Sequence, residues 1–375
     1  TTVTGATTAQ LGAITVTNDA KTSTTGNIAL TAGTGAATLA GALSFDTVGT
    51  ITVKGTGAAL HNITALNTNG LTVSVDAKTG AITETAATTI SNTKGDLNVT
   101  LKGTTSAGID ATAGSATVTD TDIVYDASAM TGAITATTIT NNSVDASSST
   151  IVKGGTSTNA FTVATTNDAA GTVTYYGQNG ADSITVTGKA AATIYGEGGN
   201  DTIVGGDGND TIYGGEGTDS ITGGKGNDTI NLTEATQAID TVVFAATAAN
   251  NGVDTITGFI FGAGKDILDV NLGVADATKF LSGAIASSLT LVAGTAEVLS
   301  LTDIQTLTSA NFGAAASATV IGTTASQSYF VIADAAGDAD AIQNLYSVVT
   351  DASNVATVTL VGTINEGTVD AGNFA

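Results

Sequence analysis

Along the first 176 residues apolar side chains recur in short alternating steps. Ile14 and Val16, Ile51 and Val53, Leu71 and Val73, Leu97 and Val99 each bracket a single polar or small residue. Further short β-prone segments are Ile123-Val-Tyr125, Thr137-Thr-Ile139, Thr150-Ile-Val152 and Phe161-Thr-Val163. A period of two places one residue type on one face of a strand. The stretches between these steps are rich in Gly, Asn, Asp, Ser and Lys, which is turn chemistry. Glycine is too frequent, and a 3.6-residue period too rare, for long helices. The pattern predicts many short strands, arranged as a β-solenoid or a β-sandwich. The recurrence of turns without bulky aromatic residues, and the abundance of Thr and Ala that stack well in ladders, favours the solenoid. The spacing of the strands is irregular here.

Between residues 177 and 231 the pattern changes to a repeat of nine. The units are GQNGADSIT (177–185), TGKAAATIY (187–195), GEGGNDTIV (196–204), GGDGNDTIY (205–213), GGEGTDSIT (214–222) and GGKGNDTIN (223–231), with Val186 inserted once. Position six holds Asp182, Asp201, Asp210, Asp219 and Asp228, and Ala192 in the second unit. Position eight is always Ile: Ile184, Ile194, Ile203, Ile212, Ile221 and Ile230. The glycines permit turn conformations closed to other residues. The Asp supplies carboxylate oxygens, and turn carbonyls supply more. The Ile two residues later points inward from a short strand. Nine residues make one turn and one strand, so two units complete a coil and stack their Ile side chains in a dry ladder. A flexible Gly-rich linker has no reason to repeat Ile at this interval.

Composition narrows the chemistry. The 375 residues contain no Cys, Pro or Trp, one Met and one His. All ten basic residues are Lys, and 27 of the 33 acids are Asp, giving a net charge of −23. Disulfides, thiolate metal sites and Cys nucleophiles are excluded. The acidic balance and the lack of Arg argue against nucleic acid as a partner. No apolar run is long enough to form a transmembrane segment. With 42% hydrophobic residues the chain is not a disordered acidic tail. An excess of Asp over Glu beside Gly suits hard cations held by oxygen, although acidic surfaces also serve solubility.

The nonapeptides resemble the GGxGxDxUx repeat of RTX proteins, a calcium-binding parallel β-roll. The resemblance implies an all-β chain with four parts. These are a Thr/Ala-rich β-solenoid or β-sandwich region over 1–176, the β-roll over 177–231, a roll cap over 232–271, and a β-rich C-terminal region over 272–375. It implies Ca2+ between turns of alternate repeats, pairing Asp182 with Asp201, Asp201 with Asp219, and Asp210 with Asp228. A site needing a carboxylate at Ala192 is expected to be weak or absent. Backbone carbonyls of Gly196, Gly198, Gly205, Asp207, Gly214 and Glu216 are expected to complete an oxygen shell. Without calcium the roll brings carboxylates together around a thin core. Each Ile contributes roughly 2–3 kcal/mol on full burial, against about 1–2 kcal/mol of backbone entropy for every residue ordered. Calcium binding should therefore supply folding free energy.

After the repeats, segments around Asp240, Asp254, Asp266 and Asp269 resemble the stretch that caps RTX rolls in type I secreted proteins, and these four Asp are further candidate ligands. Ile342, Leu345, Tyr346 and Val349 fall on one helical face and predict a helix over 341–349. Residues 328–332 and 358–361, with the ending at Phe374, are similar to type I secreted C-termini, which carry an uncleaved secretion signal. Residues 1–16 show neither the basic nor the apolar run of a general-secretory signal peptide, as type I secretion implies.

No catalytic constellation is evident. His61 has no Cys or second His near it in sequence, and there is no HExxH or GxSxG. Asp120 and Asp122 lack the aromatic platform expected of a glycosidase. Tyr175, Tyr176, Tyr195 and Tyr213 are expected to flank the roll. The whole chain resembles RTX-type bacterial surface-layer (S-layer) proteins in being Thr/Ala/Gly-rich, acidic and Cys-free, with nonapeptides inside the chain. That implies a non-enzymatic, self-assembling structural protein at the bacterial cell surface, with other copies of itself and cell-surface polysaccharide as partners. Asp120, Asp122, Asp334, Asp338 and Asp340 are candidates for contacts between subunits. Two other readings stay open: the C-terminal part of an RTX adhesin, or the secretion domain of an RTX enzyme.

Overall fold

The computed structural model describes residues 2–5, 8–11, 14–16, 26–39, 43–45, 48–65, 70–84, 88–106, 108–114, 121–143, 145–165, 171–244, 251–260 and 266–269, and the strands 279–284, 297–302, 327–334, 343–350 and 356–364. Every regular element among them is a β-strand, and most pair in parallel as a β-solenoid. Two compact units divide the chain, Thr1–Asp207 and Gly208–Ala375.

The first unit is a solenoid with three walls that thin to two. One wall stacks Gly26–Ala32, Val48–Lys54, Gly70–Asp76, Asp96–Gly103, Ile123–Met130, Ser149–Lys153, Thr172–Tyr176 and Ala191–Tyr195, all parallel. A second stacks Leu43–Phe45, Ile63–Ala65, Thr89–Asn92, Asp110–Ala113, Ile134–Asn141, Asn159–Thr165, Ser183–Thr187 and Thr202–Gly206. The third holds only Ala9–Leu11, Ala37–Leu39, Ala58–Leu60 and Ile82–Glu84. Beyond Ile82 it shrinks to single bridges through Ser106 to Ile134, and Ile134 pairs in turn with Asn159.

Each of the eight strand steps read from the sequence lies in a strand. Along Gly70–Asp76, Leu71, Val73 and Val75 point in while the intervening residues are half exposed. The irregular spacing reflects coil length. Equivalent residues lie 26 apart between Asp96 and Asp122 and 27 apart between Asp122 and Ser149. The step falls to 23 between Asn159 and Asp182, and to 19 between Asp182 and Asp201. The third wall is already reduced to single bridges where the coil is long, 28 residues from Ser106 to Ile134, before the coil shortens. The core here is not free of aromatics. Phe161 meets Tyr125 edge-on at 5.6 Å and Tyr175 at 5.7 Å between ring centroids, and all three are buried. Tyr175 is thus a core residue, whereas Tyr176 and Tyr195 stack on each other at 5.1 Å.

In the second unit Thr211–Tyr213, Thr229–Asn231, Asp254–Thr257 and Ala356–Ile364 pair in parallel, as do Ser220–Gly224, Thr241–Val243 and Ile267–Asp269. Alternate strands pair, so two nonapeptides make a coil. Thr241–Val243, Asp254–Thr257 and Ile267–Asp269, in the stretch read as a cap, pair with the strands of the repeats or with one another in the same stacks. Toward the end, Lys279–Ala284, Glu297–Thr302 and Gln327–Asp334 are parallel, and Gln327–Asp334, Gln343–Thr350 and Ala356–Ile364 form an antiparallel meander. The helix expected over 341–349 is therefore a strand. Ser347, Val348, Val349 and Thr350 include a β-branched run that loses side-chain freedom in a helix and suits a ladder. Strand neighbours on both sides settle the choice.

Candidate metal centre

In each Asp-bearing nonapeptide the strand begins at position seven, directly after the Asp at position six. Burial alternates from there: Asp201 is buried, Thr202 exposed and Ile203 buried. The Asp and the Ile thus share the inward face, and the carboxylate lies at the mouth of the core. The turn before it reverses sharply. In the unit starting at Gly214, Gly215 and Gly217 have φ of 104° and 116°, which L side chains rarely adopt. Gly214 itself has a different task. A Cβ built there would stand 2.6 Å from Asp219 Oδ2, and one at Gly177 would stand 2.7 Å from Asp182 Oδ2. Position one is glycine because the carboxylate of its own repeat folds back against it.

The carboxylates are then chained along the coil axis. Asp182 N–H donates to Asp201 Oδ1 at 2.8 Å, and Asp210 N–H to Asp228 Oδ1 at 2.8 Å. Asp219 donates to Asp240 Oδ1 at 2.9 Å, Asp228 to Asp254 Oδ1 at 3.0 Å, and Asp240 to Asp266 Oδ1 at 3.0 Å. Each Oδ1 replaces a carbonyl in the parallel ladder. Ile260 N–H meets Asp266 Oδ2 at 2.7 Å. Asp182, Asp201, Asp210, Asp219, Asp228, Asp240, Asp254 and Asp266 are all at most 3% exposed. The Oδ2 atoms of Asp182 and Asp228 are buried without a hydrogen-bond partner among the described residues.

Burial in this setting raises the carboxyl pKa values, since the charged form loses its hydration. Asp182 is pushed up to about 7 by burial, with the charge of Asp201 adding to it. Asp201 and Asp228 are each raised by burial to about 6. Asp240 rises to about 7 by burial, then by Asp219 and Asp266, and Asp254 to about 8 by burial, then by Asp228 and Asp210. Stacked buried carboxylates with unsatisfied oxygens fit a hard divalent cation. No group of three or more His, Cys, Asp or Glu side chains is placed to hold a metal among the described residues. The remaining ligands would therefore be backbone carbonyls of the turns.

Gly196 is buried, and its carbonyl oxygen fills the space that a Cβ at Gly177 would need. The Gly198 carbonyl accepts from Gly180 N–H at 2.7 Å and keeps a second lone pair. Gly205 is buried in its strand, Gly214 is buried, and Asp207 is exposed. The Glu216 side chain turns outward and accepts from Ala235 N–H at 2.6 Å and Thr236 N–H at 3.0 Å. These bonds hold its carboxyl below the usual range. Sequence reading missed its counterpart, Glu234, whose Oε2 accepts from Gly217 N–H at 3.4 Å. Ala192 is buried beside Val173 in an apolar column, so the second repeat offers no carboxylate at position six.

Of the four later candidates, Asp254 continues the series of Asp210 and Asp228, and Asp240 and Asp266 continue the series from Asp219, all within the second unit. Asp269 stands apart, half-buried in the strand Ile267–Asp269 and in register with Val243. Asp122 is engaged inside the chain, its Oδ1 accepting the N–H and the hydroxyl of Ser149, each at 2.8 Å. Asp334 lies at the end of a described strand, and Asp120, Asp338 and Asp340 lie outside the described residues. Sequence reading also missed Asn159. Residues 154–162 read GGTSTNAFT, with the paired Gly of a repeat, Asn at position six and Phe at position eight.

Residues 195–230 match the family model for the RTX calcium-binding nonapeptide repeat (4 copies). Comparison with curated proteins and with solved structures gives no match. No helix among the described residues is long and apolar enough to cross a membrane. Buried carboxylates of the same kind occur on both sides of the matched segment, at Asp182 in the first unit and at Asp240, Asp254 and Asp266 in the second. The chain carries RTX-type calcium-binding repeats, set within a parallel β-solenoid.

Proposed function

We propose that the chain is a secreted structural subunit, folded by calcium outside the cell, that self-assembles at a bacterial surface as an S-layer or surface filament. The observation that carries this reading is the place of the carboxylates. They are members of the inward columns of the solenoid, so the ion belongs to the core and its work is to fold and stiffen the coil. The single histidine supports a non-enzymatic role. His61 Nδ1 accepts the N–H of Asn62 at 2.8 Å, which ties the ring to its own turn. A net charge of −23 makes copies repel. Divalent ions offset that repulsion, which couples assembly to the same calcium that folds the chain.

Negative-stain microscopy and circular dichroism on the same samples, in excess chelator and then in millimolar calcium, test the proposal. The expected result is β structure together with ordered sheets or filaments on adding calcium. Protein that folds with calcium but stays monomeric refutes self-assembly and points to an RTX adhesin fragment whose ligand is then sought. A chain indifferent to calcium in both signals overturns the role given to the Asp lines.

A further inference from the structure

The third wall of the first unit leads directly into one of the carboxylate lines. Its inward column runs through Ala58, Ile82, Ser106, Ile134 and Asn159, all buried. Up to Ile134 each member donates its N–H to a backbone carbonyl of the next coil. The bonds are Ala58 to Ala81 O at 3.1 Å, Ile82 to Thr105 O at 2.8 Å, Ser106 to Ala133 O at 3.1 Å and Ile134 to Thr158 O at 3.0 Å. At Asn159 the partner changes. Its N–H donates to Asp182 Oδ1 at 2.7 Å, as Asp182 N–H does to Asp201 Oδ1. The apolar column ends and the carboxylate line begins at this one residue.

The side chain of Asn159 occupies the changeover. Its Oδ1 accepts Gly155 N–H at 3.0 Å, which fixes which end of the amide is which. Nδ2 therefore faces three oxygens: Asp182 Oδ1 at 2.9 Å, Gly155 O at 3.1 Å and Gly177 O at 3.3 Å. Two turn carbonyls and a carboxylate around one positive pole are the donor set a calcium ion takes. Asn159 also holds position six of the degenerate repeat 154–162, where the later repeats carry Asp. We infer that the Asn159 amide stands in for the first cation of the line, joining the ion-free coils to the calcium-dependent ones through a junction that needs no metal. The inference rests on the calcium reading of the repeats.

Asn159→Asp restores the carboxylate and removes the donor. In the full chain this variant is expected to bind one calcium ion more than the unsubstituted chain, counted by equilibrium dialysis. It should melt below the unsubstituted chain in chelator and recover in calcium. Asn159→Ala, which removes donor and acceptor together, should melt lower in both conditions with the ion count unchanged. An Asn159→Asp chain that gains no ion, or stays unfolded in calcium, overturns the inference, as does an Asn159→Ala chain as stable as the original. If the unsubstituted chain binds no calcium, the underlying reading fails and this inference with it. If it binds calcium while Asn159→Asp gains none, the inference fails alone.

Discussion

The smallest unit of this design is a glycine and an aspartate five residues apart. Gly214 leaves room for Asp219 Oδ2 against the turn, and any Cβ there displaces the carboxylate. A charged hydrogen bond or ligand contact of this kind is worth about 1.5–3 kcal/mol. Gly214→Ala should therefore raise the calcium concentration needed to fold the repeats by roughly ten- to a hundredfold, read by circular dichroism during a calcium titration. Thr202→Val, at an exposed position seven, should leave that midpoint unchanged. The roles of Gly and Asp were legible in the sequence because five Asp recur at one offset. Asn159 was not, because Asn and Phe replace two marker residues of the repeat, and only the stacking of Asn159 under Asp182 reveals its register.

At the scale of strands and coils, a line of carboxylates acts only where the coil places position six on the inward face. Asp240 satisfies this condition and Asp269 does not, although the sequence offered both as ligands. Asp240→Ala should lower the calcium count by at least one ion per chain, whereas Asp269→Ala should leave it unchanged. Native mass spectrometry of the two variants in calcium distinguishes them, and equal losses would show that the line is not the binding unit. The strands themselves were readable wherever apolar residues alternate, since a period of two has one structural meaning. Coil length was not readable, because the coil varies from 18 residues between Asp210 and Asp228 to 29 between Ile14 and Leu43 and carries no fixed signal outside the nonapeptides. The strand Gln343–Thr350 was misread as a helix for a related reason. Spacings of three and four among Ile342, Leu345, Tyr346 and Val349 satisfy a helical face, while the antiparallel partners that decide the matter, Gln327–Asp334 and Ala356–Ile364, lie outside the segment itself.

Over the whole molecule, the buried carboxylates make stability depend on pH and calcium together. Asp182, Asp201, Asp228, Asp240 and Asp254 have folded-state values of about 6 to 8, above the unfolded value of about 3.9. A group raised on folding binds its proton more tightly in the native state. In the calcium-free chain these groups contribute stability that is fully present below about pH 4. That stability is lost as pH rises through their folded values. Calcium reverses the slope, because the ion needs the deprotonated carboxylate and competes with the proton. Calcium-stripped protein should therefore melt at higher temperature at pH 5 than at pH 8, and calcium-loaded protein at lower temperature at pH 5 than at pH 8. Thermal scans across that range in both conditions check the crossing. Asp254→Asn removes the group with the highest value, so its calcium-free slope should flatten most between pH 7 and 8. Parallel slopes with and without calcium would mean that the acid response comes from the overall charge of −23 and not from the buried lines.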